Sequence, residues 1–130
     1  MTYLLDVNAL VALAFLEHEL HDRVVAWMRS QEALKFASCS ITELGFVRVL
    51  AQASAYGLTV AQARALLTRM KQVSSPAFVF ITDDHDVSQL PGWVKTPKQT
   101  TDGHLAKLAT SNGAVLATLD GRIPGAYLIP

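Results

Sequence analysis

A chain of 130 residues with 51% hydrophobic and 17% charged side chains has material for one packed core, which excludes a disordered tail. A domain of this length buries roughly two-thirds of the surface of its unfolded chain. The 11 basic and 11 acidic residues cancel, so bulk electrostatics do not hold nucleic acid here, which leaves room for an enzyme that touches RNA over a small area. No apolar run reaches the roughly 18 residues of a membrane span, and Met1-Thr2-Tyr3 lacks the basic start of a signal peptide. Cys39 stands alone, so no internal disulfide forms, and the expectation is a reduced, cytoplasmic protein with no membrane partner.

In chain order, Tyr3-Leu4-Leu5 is a short apolar strand and Ala9 to Leu16 a helix. A second helix covers Asp22 to Ser30, and Leu34 to Cys39 reads as a strand. Ser40 has the character of a helix cap, and the helix it opens runs to about Ala55 before Gly57 stops it. Thr59-Val60-Ala61-Gln62 matches a capping box and opens a helix through about Gln72. Ser74-Ser75-Pro76 breaks it, and Ala77 to Ile81 is predicted as a buried strand. Thr82 to Thr100, with Pro91, Gly92 and Pro97, reads as loop. Thr101 to Ser111 is helical, Ala114 to Leu119 is a strand, and a last short strand lies near Tyr127 to Ile129. Helices alternate with continuously apolar strands over residues 1–130, which predicts an α/β domain with a central parallel sheet covered on both faces.

In such sheets functional groups collect beyond the carboxyl ends of the strands. Asp6 follows the first strand and Asp120 the Val115–Leu119 strand, so parallel strands bring both to one edge. Asp102 shares a helix face with Leu105, Ala106 and Ala109, and Glu43 one with Val47 and Leu50, so both are carried towards the sheet. Singly, each has an ordinary explanation: a capping box from Ser40 to Glu43, a helix start for Asp102, turns for Asp6 and Asp120. Together they need another. Two carboxylates about 5 Å apart repel by about 3 kcal/mol at an effective dielectric of 20. A helix start returns only about 0.3–1 kcal/mol per acid. A hard divalent cation is the simplest reason for four acids to converge, and oxygen ligands suit Mg²⁺ or Mn²⁺.

The residues around these acids resemble the PIN-domain family, and within it the VapC toxins. Leu4-Leu5-Asp6-Val7-Asn8-Ala9-Leu10 is similar to the family's opening motif, and Ser40-Ile41-Thr42-Glu43-Leu44-Gly45-Phe46-Val47-Arg48 to its glutamate-bearing helix. Thr101-Asp102-Gly103-His104-Leu105-Ala106-Lys107-Leu108-Ala109 resembles the third acidic motif and Ala117-Thr118-Leu119-Asp120 the fourth, with Gly103-His104 a departure. The resemblance implies a PIN-like three-layer fold and an endoribonuclease dependent on Mg²⁺ or Mn²⁺. It places the metal at Asp6, Asp102, Asp120 and Glu43, with Asn8 and Thr118 as supporting residues. It further implies the toxin of a toxin–antitoxin pair, with RNA as substrate, a cognate antitoxin as partner and a homodimer as the assembly.

Other signals carry less. Asp83-Asp84-His85-Asp86 reads as a solvated turn, His104 as a solvated helix position, and His18 with His21 as no zinc site in the absence of further soft ligands. Arg48, Lys107 and Arg122 stand near the acids in sequence and are candidates either for phosphate or for an exposed solubilising role. Trp27-Met28 and Phe78 to Phe80 are expected in the core. An aspartate-nucleophile phosphatase fits poorly, because Asn8 stands where a second aspartate is wanted. A PIN-like module that binds RNA or protein without cutting is the non-enzymatic alternative, and the four filled acidic positions speak against it.

Overall fold

The computed structural model describes residues 1–73 and 75–130, so Ser74 of the expected break lies outside the described residues. The elements are β1 (Thr2–Leu5), α1 (Val7–Ala14), α2 (His21–Ser30), β2 (Lys35–Cys39), α3 (Ser40–Gln52), α4 (Val60–Gln72), β3 (Ala77–Ile81), α5 (Thr100–Ser111), β4 (Val115–Thr118) and β5 (Tyr127–Leu128). Between β3 and α5 the chain is loop with two 3-10 turns, Val87–Gln89 and Pro97–Gln99. The strands form one sheet in the order β3-β2-β1-β4-β5, and every pair is parallel. No helix among the described residues is long and apolar enough to cross a membrane.

Three layers follow from the alternation of side chains along the strands. Tyr3, Leu5, Phe36 and Ala117 face one side, where Leu10, Val24, Trp27, Phe46 and Leu67 from the first four helices cover them. Leu4, Ala37, Cys39 and Leu116 face the other, under Leu105, Leu108 and Ala109 of α5. Phe36 is fully buried between Trp27 and Phe78, at ring-centroid distances of 5.9 and 5.4 Å. Two glycines permit the closest approaches. A Cβ on Gly45 of α3 would lie 2.6 Å from Val7 Cγ2, and one on Gly103 of α5 would collide with Val94 of the long loop.

Several local expectations shift. α1 starts at Val7 rather than Ala9, because Asp6 itself caps it: the Val7 amide donates to Asp6 Oδ1 at 2.9 Å. Ser40 is the first helical residue of α3, not its cap; Cys39 takes that place, with its amide donating to Thr42 Oγ1 at 3.0 Å. α3 ends at Gln52, before the turn in which Gly57 adopts a φ of 64°. The Thr59–Gln62 capping box forms as read. β3 is a strand but not a buried one, since it lies at the sheet edge and leaves Val79 40% and Phe80 47% exposed.

Candidate active site

The strand order reverses between β1 and β4: the chain moves outward from β1 to β2 and β3, then returns to lay β4 and β5 on the other side. Connections leaving in opposite directions open a crevice at the carboxyl ends of the two central strands. Asp6 lies just past the end of β1, where its amide donates to Ala117 O at 2.9 Å, and Asp120 lies two residues past β4. Asp102 enters from the first turn of α5, whose buried Leu105 and Ala109 hold its face on the sheet. The three carboxylates line one cleft of about 380 Å³, together with Val7, Asn8, Val11, His18, Val49 and Tyr56.

Asp6 is only 9% exposed, and its charge is met by neutral donors alone. Val7 N donates to Oδ1, and Thr118 Oγ1 donates to Oδ2 at 2.9 Å. Thr118 is fully buried and in turn accepts from Asn8 Nδ2 at 3.3 Å and from the Asp120 amide at 3.0 Å. Asn8 Oδ1 accepts from Leu119 N at 3.2 Å, so Asn8 and Thr118 tie the ends of β1 and β4 together around Asp6. Burial raises the Asp6 carboxyl above its usual range; the two hydrogen bonds oppose this, and the charge of Asp120 adds to it. Asp102 is raised too, first by burial and then by Asp6 and Asp120, with the positive charge of Arg122 acting the other way. Asp120 is lowered, because Arg122 donates to it from Nε at 2.9 Å and from the backbone amide at 3.0 Å, both to Oδ1, and from Nη2 to Oδ2 at 3.0 Å.

Glu43 is not in this cleft. It lies in a neighbouring groove with Ser40, Leu44, Arg64, Lys71 and Phe80. Its Oε2 accepts from Ser38 Oγ and from Lys71 Nζ, each at 2.6 Å. The Lys71 ammonium also stands 5.2 Å from the centroid of the Phe80 ring. The expected reciprocal bond to Ser40 is replaced by this pairing, so the structure brings together three of the four acids and closes the fourth into an internal ion pair. Among the described residues no three carboxylate, histidine or cysteine side chains are near enough to form a ready metal cage. Two of the four acids are engaged by cations of the chain itself: Lys71 pairs with Glu43, and Arg122 with Asp120.

A cation nevertheless fits the chemistry of the donor set. Asp6 and Asp102 are hard oxygen donors in no ion pair among the described residues, and burial, then the charges of neighbouring acids, disfavours their charged forms. A divalent ion is the group that reverses that imbalance.

His18 and Tyr56 are cleft residues that sequence reasoning missed; they arrive from the α1–α2 and α3–α4 connections, whose placement no local pattern reveals. His104 is a correction: its side chain is 16% exposed, with Nε2 2.5 Å from Asp83 Oδ2, which ties the acidic loop to α5 instead of leaving both in solvent. Arg48 lines a groove with Leu44, Val47 and Val60, and Lys107 one with Trp93 and Pro124; only Arg122 of the three reaches the acids.

A doubly wound parallel sheet with an acidic cleft at its switch point is the frame that the comparisons specify further. The PIN domain model matches residues 3–127, and the chain belongs to the PIN-domain family. It is 38% identical to Ribonuclease VapC38 of Mycobacterium tuberculosis (strain ATCC 25618 / H37Rv) over 126 residues, 92% of this chain and 86% of that protein. It is 37% identical to Ribonuclease VapC44 of the same organism over 128 residues, 95% of this chain and 89% of that one. The fold is similar to that of a chain in the crystal structure of VapBC2 from Rickettsia felis bound to a DNA fragment from their promoter. That likeness has a TM-score of 0.56 at 16% identity and covers 98% of this chain and 97% of the other.

Proposed function

We propose that this chain is a single PIN domain acting as a Mg²⁺- or Mn²⁺-dependent endoribonuclease, the toxin of a VapBC-type pair. The observation that carries the reading is the set of three carboxylates in one cleft, two of them in no ion pair among the described residues. Relatives named as ribonucleases over most of the chain support it. Asp6 and Asp102 would hold the cation, with Asp120 as the third acid. When bound, the ion supplies a water acidified towards neutral pH and screens the phosphodiester charge. Thr118 fixes the Asp6 carboxylate by a hydrogen bond and Asn8 in turn donates to Thr118, the kind of supporting layer on which metal affinity depends. Water attacks phosphorus in line, the P–O3′ bond breaks, and O3′ leaves as a hydroxyl, so the products carry a 5′-phosphate and a 3′-hydroxyl. Tyr56 and His18 offer aromatic surface in the same cleft on which unpaired bases can stack. Glu43 has no direct part in this reading, since Ser38 and Lys71 hold it in the neighbouring groove.

A cognate antitoxin and a second copy of the chain complete the proposal. Exposed apolar side chains on α3, α4 and β3, among them Leu44, Val60 and Phe80, give such partners a surface. The enzymatic test is cleavage of end-labelled structured RNA by metal-free protein resupplied with Mg²⁺ or Mn²⁺. Discrete fragments with 5′-phosphates are expected, none with EDTA and none from Asp102→Asn. A wild type that binds RNA but cuts in neither metal returns the chain to the non-catalytic reading.

A further inference from the structure

We propose that Arg122 is a latch built into the cation site, holding the Asp120 carboxylate closed until a divalent ion displaces it. The inference rests on the reading of the Asp6–Asp102–Asp120 cleft as a cation site and adds a regulating contact to it. Three donors of one residue, the backbone amide, Nε and Nη2, occupy both oxygens of Asp120 at 2.9–3.0 Å. Asp6 and Asp102 have no such partner, so Asp120 is the one acid of the cleft already neutralised from within. Both oxygens of the third carboxylate are thus engaged by the guanidinium, and no three-donor group stands ready among the described residues.

The latch is poised to open. Arg122's side chain is 90% exposed and that of Asp120 26%, and an ion pair in contact with water is worth little. A guanidinium also cannot give up its charge, so the competition is between two cations for one carboxylate and not a matter of protonation. The fork geometry matters: the parallel N–H donors match both carboxylate oxygens at once, which a lysine does not reproduce.

The test is calorimetric titration of metal-free protein with Mn²⁺ alone, on wild type, Arg122→Ala and Arg122→Lys. The latch predicts that Arg122→Ala binds Mn²⁺ about two- to fivefold more tightly, the range an exposed pair allows. Arg122→Lys keeps the charge but loses the fork, and its affinity moves towards that of the alanine variant. In an Asp120→Asn background the gain from Arg122→Ala disappears. Equal affinities in wild type and Arg122→Ala overturn the latch while leaving the cation site standing. A lysine variant that matches wild type overturns it too, by assigning the effect to net charge. Failure of every variant to bind Mn²⁺ at millimolar concentration removes the cation site itself and the latch with it.

Discussion

Asp6 and Glu43 occupy equivalent places in the fold and have opposite surroundings. One follows β1 and the other stands one helical turn beyond β2, both at the carboxyl edge of a parallel sheet. Glu43 is closed: a lysine and a serine hydroxyl meet one of its oxygens, and the lysine packs on Phe80. Asp6 is open: it is more deeply buried, it meets only neutral donors, and two further acids share its cleft. A carboxylate neutralised within its own chain serves the fold. One left buried among like charges, with its charged form disfavoured, is the pattern in which functional sites are sought. The same functional group at the same sheet edge thus meets different surroundings, and the difference lies in the counter-charge rather than the position.

Single substitutions can open the closed acid or disarm the open cleft. The largest effect is expected from Asp102→Asn, which removes a proposed cation ligand from the open cleft: RNA cleavage falls on the order of a hundredfold or more while the protein stays folded, read by gel assay and circular dichroism. Thr118→Val comes next. It removes the hydroxyl between Asp6, Asn8 and the Asp120 amide, and Mn²⁺ affinity drops about 10–100-fold by calorimetry, with a stability loss of about 1–3 kcal/mol from the orphaned donors. Lys71→Met opens the closed acid. With side chains 31% and 23% exposed, that pair contributes about 0.5–1 kcal/mol, seen in a urea titration, and Mn²⁺ affinity stays within about twofold of wild type.

The smallest expected effect is a pH-dependent change in stability at Asp102. Burial and its acidic neighbours raise the Asp102 carboxyl above the usual range, so its folded pKa exceeds its unfolded one. The stability this group contributes is full at pH values below the unfolded carboxylate range and is lost as pH rises through the raised folded value. Metal-free Asp102→Asn is therefore about 1–3 °C more stable than metal-free wild type at neutral pH, and the gap closes on acidification to about pH 4 and below. A gap that widens in acid contradicts the account.

The three-layer sheet and the helix order were legible because apolar runs, caps and breakers are local signals. So were the positions of Asp6 and Asp120, which follow strand ends directly, and of Asp102, whose helix face is marked by Leu105 and Ala109. The strand order was not legible: an apolar run such as Ala77–Ile81 reads alike at a sheet's centre and at its edge, and β3 proved to be an edge with Phe80 half exposed. Partners far apart in sequence were equally hidden. Lys71 reaches Glu43 across 28 residues, and Asp83 reaches His104 across 21. The early start of α1 was signalled by Asp6 standing before an apolar helical run, which is an N-cap pattern.

The cleft of Asp6, Asp102 and Asp120 is proposed to bind a divalent cation, and the other acidic sites are not. Titration of Mn²⁺ into metal-free wild type, Asp102→Asn, Glu43→Gln and Asp84→Asn, followed by calorimetry, tests it most directly. The account predicts that wild type binds, that Asp102→Asn weakens binding more than tenfold, and that Glu43→Gln and Asp84→Asn remain close to wild type. No binding to wild type at millimolar Mn²⁺, or a loss confined to Glu43→Gln or Asp84→Asn, would contradict it.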